Sequence, residues 1–280
     1  MNYGFVKTAV VTPKIKVADV AHNGAEIEKL MKEASEGGAG VIVFPELCLT
    51  GYTCGDLFSQ DLLIKSAKEE LIRLVEVSQN LRGIIFVGLP WEHRGKLYNV
   101  AAAFEGGQLL GIVPKTYLPN HAEFGEVRTF APGKKGYEYI DFEGEMVPFG
   151  TSLLFTCEND KNLVVAAEIC EDLWAPNPPS VSHALHGATV IVNLSASDET
   201  TGKSEYRRQL ISQQSARLFC GYVYASAGEG ESTTDLVFGG HNLIAENGTI
   251  FAESEKYKCG ITYTAIDLDR LVGDRRKNTV

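Results

Sequence analysis

Hydrophobic and polar positions along the chain fall into two alternating patterns. Short apolar runs with no polar interruption read as strands buried on both faces. They are "GVIVFPE", broken at Pro45, and "GIIFVGLP", while "FVKTAVVTP" reads as a strand ending at Pro13. Between them, "AEIEKLMKEASEGG" places Ile27, Leu30, Met31 and Ala34 at helical spacing, and Gly37 and Gly38 end it. Residues 61 to 80 predict a second, longer amphipathic helix. The pattern then changes to paired strands, "LYNVAAAFEGGQLLGIVPK" around Gly106 and Gly107 and "SLLFTCENDKNLVVAAEIC" around residues 158–162. A helix and strand follow in "SHALHGATVIVNLSAS", then a helix in "YRRQLISQQSARLF". "FGGHNLIAENGTIFAES" is a hairpin whose Asn247-Gly248 pair suits a type I′ turn, and "GITYTAIDL" is the last strand.

Strand–helix units mixed with hairpins imply mixed rather than purely parallel sheets. Several strands read as buried on both sides, so the expected architecture is α/β: two mixed sheets face to face with helices outside. No Pro-rich, Ser-rich or low-complexity linker divides the chain, which predicts one domain over residues 1–270. The basic, polar tail "GDRRKNTV" reads as a linker over residues 271–280.

Composition narrows the function. The net charge of −10 and pI of about 5.2 argue against nucleic acid or an anionic membrane as partner. The first residues lack the apolar stretch of a signal peptide and no run approaches a membrane span, so a cytoplasmic location is expected. The six cysteines, at 48, 54, 157, 170, 220 and 259, are scattered and include no C-x-x-C pair. Neither a disulfide framework nor a metal site is expected, and His183 and His186 read as ordinary helix residues. The Gly-rich stretches lack the phosphate-binding pattern G-x-x-x-x-G-K-[ST].

Three apolar runs end in a chemically unusual residue: Glu46 after "VIVFP", Lys115 after "LLGIVP" and Cys170 after "VVAAEI". In α/β sheets, sites form beyond the carboxyl ends of strands. A cysteine near pKa ~8.5 is mostly thiol at neutral pH, and the acids flanking Cys170 disfavour a thiolate further. A carboxylate could take its proton during attack, and a lysine could stabilise the resulting oxyanion, with backbone N–H groups after the cysteine as a second donor. Each residue also has a plainer reading: Cys170 as a small core residue, Glu46 and Lys115 as solvated turn residues, Glu171 and Asp172 as helix N-terminal carboxylates. A papain-like Cys–His pair is disfavoured because no histidine has a readable orienting partner.

Together the segments "VFPELCLTGY", "PKTYLPN" and "EICEDLW" resemble the glutamate, lysine and cysteine motifs of the nitrilase, or carbon–nitrogen hydrolase, superfamily. Longer stretches, including "ELCLTGYTCGDLF", "GESTTDLVFGG" and the terminal "DLDRL", are similar to one branch, the glutaminase domains of glutamine-dependent NAD synthetases. The resemblance runs from about Val6 to Asn278. It implies a four-layer α-β-β-α sandwich and assembly into homo-oligomers. It implies Glu46 as general base, Cys170 as nucleophile and Lys115 as oxyanion stabiliser, with Glu123 the second glutamate that positions the lysine. By position Tyr52, His121, Glu171, Trp174, Ser197 and Lys203 would line a glutamine pocket. Lys203 stands where many relatives carry arginine, keeping the charge but not the bidentate fork. His121 and Gly125 stand where relatives show aromatic residues in "PNYxEFYExRxF".

The implied reaction is hydrolysis of the glutamine side-chain amide through a Cys170 thioester, with no cofactor in this chain. The released ammonia would serve a synthetase domain that uses ATP and magnesium to convert deamido-NAD to NAD. That domain carries an S-G-G-x-D-S loop, and no "SGG" occurs here, so the chain reads as the glutaminase half of such an enzyme. The alternatives are a stand-alone amidase with another amide substrate and a weakly active ammonia-conduit or assembly module.

Overall fold

The computed structural model describes residues 4–278. The first sheet has eight strands: β1 (Phe5–Thr12), β2 (Val41–Val43), β3 (Ile84–His93), β4 (Lys96–Glu105), β5 (Gln108–Pro114), β6 (Tyr137–Phe142), β7 (Glu145–Gly150) and β14 (Gly260–Asp267). Their order across the sheet is β14-β1-β2-β3-β4-β5-β7-β6. The second has six: β8 (Phe155–Cys157), β9 (Asp160–Ile169), β10 (Val190–Ser195), β11 (Gly221–Ser226), β12 (Leu243–Glu246) and β13 (Thr249–Glu253), ordered β13-β12-β11-β10-β9-β8. Both sheets are mixed: β1-β2-β3 and β9-β10-β11 run parallel, and the hairpins pair antiparallel.

Side-chain alternation builds the layers. Val6 and Val10 of β1, Ile84 and Phe86 of β3, and Val165, Ala167 and Ile169 of β9 fill the space between the sheets. Their neighbours on the opposite faces, such as Ala9, Ile85 and Val87, pack under α1 (Val20–Glu36) and α2 (Asp61–Val77). Ala166, Ile191, Tyr222 and Tyr224 of the second sheet pack under α5 (Lys203–Leu218), which contributes Ile211. The order is therefore helix, sheet, sheet, helix, as the uninterrupted apolar runs imply. Two short helices, α3 (Glu171–Trp174) and α4 (Pro179–Leu185), follow β9. Asn247 and Gly248 both take positive φ, 42° and 89°, at the hairpin turn.

The tail departs from expectation. Leu268–Lys277 forms a helix, α6, over most of the segment expected as an irregular linker. Leu268 and Leu271 are buried, and Arg275 donates from Nε to Phe219 O at 2.9 Å and from Nη2 to Ala188 O at 2.6 Å and Leu218 O at 3.0 Å. The cluster of Arg275, Arg276 and Lys277 lies at the helix C-terminus, where positive charge is favoured. Residues 279 and 280 lie outside the described residues. Among those described, no helix is long and apolar enough to cross a membrane.

β2 and β5 point the same way within the first sheet. β1 and β11 end together, where Thr12 Oγ1 donates to Ser226 O at 3.0 Å. The carboxyl ends of both sheets therefore share one edge of the sandwich, and the candidate site lies there.

Candidate active site

Glu46 and Lys115 leave the first sheet just beyond β2 and β5, and Cys170 leaves the second just beyond β9. All three are buried. Lys115 Nζ donates to Glu46 Oε1 at 2.6 Å and to Glu126 Oε1 at 2.6 Å. Asn99 Nδ2 donates to Glu46 Oε1 at 2.7 Å and to Glu126 Oε2 at 3.3 Å. From the second sheet, Ala196 N donates to Glu46 Oε2 at 2.8 Å. A carboxylate has about four lone-pair sites, so these three donors leave Glu46 one. The ammonium has three N–H bonds, so its two carboxylates leave Lys115 one.

Two turns are held against backbone preference to aim these groups. Leu47, directly after Glu46, has φ 49°, and Cys170 has φ 45° and ψ −100°. Non-glycine residues rarely take positive φ, so packing and hydrogen bonds must hold both. Under the Glu46 turn the supporting residue is Gly88 in β3: a Cβ there would lie 2.4 Å from Leu47 N and 2.5 Å from Pro45 O. At the cysteine turn, Cys170 N donates to Leu194 O at 2.9 Å. The buried Asp172 accepts from Ile169 N at 2.9 Å and from Tyr117 N at 2.7 Å. Asp172 thus ties the segment after Lys115 to the turn that carries the cysteine.

Charge accounts for the protonation states. Burial pushes Glu46 above the usual carboxylate range; Lys115 pulls it back and Glu126 pushes it up again. Burial alone would lower Lys115, but Glu126 and Glu46 outweigh it and hold the ammonium well above its ordinary value. Burial raises the Cys170 thiol, and Glu46 raises it further; Lys115 and a hydrogen bond with Ser195 oppose this. Burial also pushes Asp172 up to about 8, against the N–H groups of Ile169 and Tyr117. Two carboxylates and one ammonium carry a net charge of −1. A free thiolate would make it −2, whereas moving the thiol proton onto Glu46 leaves it unchanged.

The second glutamate on Lys115 is Glu126 and not Glu123. Glu123 is exposed, while Glu126 turns inward from the short helical turn Glu126–Arg128 and also accepts from the phenol of Tyr52 at 2.8 Å. The segment 119–126 is a folded loop without regular period, so distance along the chain does not measure approach to Lys115. Asn99, also unforeseen, lies at a buried position of β4 within an apolar run.

The remaining sequence candidates gather nearby. Tyr52 packs edge-on against Phe124 and Phe238, with ring centroids 6.2 and 5.9 Å apart. His121 is exposed, with Nε2 3.4 Å from Glu171 Oε1. Lys203 forms an ion pair with Asp198 and lies 5.4 Å from the Trp174 ring and 5.7 Å from that of Phe124. The buried Ser197 accepts from Arg207 Nη2 at 3.1 Å. Arg207, fully buried, also donates to Glu199 Oε1 at 2.6 Å and to Asp198 O at 3.0 Å, so it orders the segment that carries Ser197. Tyr52, Phe124, Gly125 and Glu126 border a cavity of about 450 Å³. A Cβ at Gly125 would meet nothing nearer than the Arg128 side chain at 3.6 Å, so the glycine leaves that wall open. Among the described residues, no group of three or more His, Cys, Asp or Glu side chains is placed to hold a metal.

Residues 7–276 match the Carbon-nitrogen hydrolase family. The chain is 43% identical over 268 residues to the glutamine-dependent NAD(+) synthetase of Mycobacterium tuberculosis, covering 96% of this chain and 40% of that protein. The human glutamine-dependent NAD(+) synthetase is 30% identical over 252 residues, 85% of this chain and 35% of that protein. A crystal structure of the Cytophaga hutchinsonii enzyme of the same name superposes with a TM-score of 0.83 at 27% identity, over 93% of this chain and 42% of the other. An amidase from Nesterenkonia sp. shares the fold, with a TM-score of 0.74 at 18% identity over 100% and 98% of the two chains. The chain thus spans 35–42% of the length of these synthetases.

Proposed function

We propose that this chain, which belongs to the carbon–nitrogen hydrolase family, hydrolyses the side-chain amide of glutamine to glutamate and ammonia through a thioester on Cys170. The observation that carries the reading is the buried Lys115 ammonium, shared between Glu46 and Glu126 at 2.6 Å each, beside a cysteine held at φ 45°. Glu46 takes the thiol proton as sulfur attacks the amide carbon, which avoids a standing thiolate among acids. The remaining N–H of Lys115 receives the developing oxyanion. Glu46 returns the proton to the leaving nitrogen, and ammonia departs. Water then attacks the thioester with Glu46 as base, releasing glutamate and restoring the thiol.

Glutamine is favoured over other amides by the charges around the opening. Lys203, braced by Asp198 and two aromatic rings, suits an α-carboxylate, and Glu171 suits an α-ammonium. The similarity to synthetases more than twice this length supports a role for the ammonia: a synthetase domain outside these 280 residues would use it with ATP and magnesium to convert deamido-NAD to NAD. The test is ammonia release from L-glutamine by the purified chain. Wild type is expected to release it and Cys170→Ala to release none. Equal release by the variant would remove Cys170 from the mechanism. Release from simple aliphatic amides but not from glutamine would replace the substrate and leave the chemistry.

A further inference from the structure

A second buried polar chain lies on the far side of β9, facing α4 and α5 and away from Glu46 and Lys115. Cys170 N donates to Asn193 Oδ1 at 3.1 Å, sharing its proton with Leu194 O. Asn193 Nδ2 donates to Tyr222 OH at 3.2 Å, and Tyr222 OH donates in a short bond to Glu168 Oε1. Glu168 Oε2 accepts from Ser180 N at 2.8 Å. Glu168, Asn193 and Tyr222 are almost fully buried, and no lysine or arginine pairs with Glu168 among the described residues. None of the three enters the proposed chemistry.

The bonds all run one way, from the Cys170 N–H toward Glu168. A side-chain amide fits its site in two orientations that differ by exchanging oxygen and nitrogen. As a carboxylate, Glu168 accepts at both oxygens and Tyr222 spends its proton there, the bonds from Tyr222 and Ser180 opposing the rise that burial imposes on its pKa. The phenol oxygen then offers only a lone pair to Asn193. Asn193 must present its NH₂ to Tyr222 and therefore its oxygen to Cys170. Hydrogen bonds in such a chain also strengthen one another. The reverse orientation would set an NH₂ against the Cys170 N–H at the residue whose backbone is held at positive φ.

We infer that Glu168, Tyr222 and Asn193 are positioning residues that lock the Cys170 turn in its reactive conformation by fixing the orientation of one amide. The inference rests on the assignment of Cys170 as nucleophile, but not on the identity of the amide substrate.

The test reads alkylation of Cys170 by iodoacetamide, followed by peptide mass, beside ammonia release from glutamine. Tyr222→Phe frees the amide to turn. It is expected to slow alkylation and to lower kcat by about tenfold or more, as for a misplaced reacting group, with KM within about twofold. Adding Asn193→Asp supplies an acceptor to Cys170 in either orientation and is expected to recover most of both losses, a rescue that a purely structural role would not produce. Unchanged alkylation in folded Tyr222→Phe, or a loss that Asn193→Asp does not recover, would overturn the inference. If Tyr222→Phe does not fold, the same reading comes from Asn193→Asp and Asn193→Leu, of which only the first keeps an acceptor; equal alkylation rates in the two would overturn it. A wild type that is alkylated at Cys170 yet releases no ammonia from glutamine would refute the substrate assignment alone, and the alkylation series would still decide this one.

Discussion

Lys115 Nζ lies 2.6 Å from Glu126 Oε1, and the same Glu126 carboxylate receives the phenol of Tyr52 at 2.8 Å. Glu126 therefore takes one N–H of the lysine and turns the rest of the ammonium toward Glu46 and the cysteine. Glu126→Gln is expected to lower kcat by about tenfold to a hundredfold, because the ammonium loses its anchor. Glu123→Gln, at an exposed position, is expected to leave kcat within about twofold of wild type. Steady-state ammonia release from both variants checks the assignment, and a larger loss at Glu123 would reverse it.

Gly88 is required by the backbone above it. A Cβ at 2.4 Å from Leu47 N and 2.5 Å from Pro45 O meets main chain, which cannot swing aside as a side chain can. Gly88→Ala should destabilise the fold by about 1–3 kcal/mol in urea denaturation and displace Glu46, lowering kcat with it.

Asp172 carries a pH dependence of stability. Its pKa in the folded protein is pushed up to about 8, from the ordinary value of 3.8. Between those values the folded state binds more protons at this site than the unfolded chain, so the contribution of Asp172 to stability falls as pH rises through that interval. Chemical denaturation at pH 5 and pH 8.5 should show a smaller difference between the two conditions in Asp172→Asn than in wild type. An equal or larger difference in the variant would place the titration elsewhere.

Lys203, proposed to receive the α-carboxylate, is held by Asp198 and the rings of Trp174 and Phe124. Lys203→Met keeps the stem and removes the charge. It should raise KM for glutamine by about tenfold while changing kcat much less, and should leave alkylation of Cys170 by an uncharged electrophile unaffected.

The α6 helix predicts a stability effect far from the site. Arg275 satisfies the carbonyls of Ala188, Leu218 and Phe219, so Arg275→Ala is expected to cost about 1–3 kcal/mol in thermal or urea denaturation. A segment that served only as a linker would show no change.

The parts of the molecule legible in its sequence are those where burial is two-sided. β2, β5 and β9 announce themselves as apolar runs, and Glu46, Lys115 and Cys170 stand out because each follows one. β6 and β7 are only partly buried and were not marked by the apolar pattern. β11 follows α5 after only the turn at Phe219 and Cys220, with no run of turn residues to mark its start. α6 buries only Leu268 and Leu271, so its polar surface imitates a tail. Glu126 was missed for Glu123 because a loop carries no period from which to compute a direction. Asn99, Asn193 and Glu168 are polar residues inside apolar strands, and their partners come from elsewhere in the sheet or across the fold.

The bond from Ala196 N to Glu46 Oε2 joins a loop that follows β10 in one sheet to the proposed base carried by the other. Glu46 is thereby a rivet as well as a reagent. Neither sheet alone holds the whole proposed site: residues up to 150 carry Glu46 and Lys115, and the proposed nucleophile, Cys170, arrives only with the second sheet. Reactivity at Cys170 is in consequence a gauge of how the two sheets are seated. A mutation deep between them, at Phe86 or Val192 for instance, can silence the chemistry without touching a reacting atom.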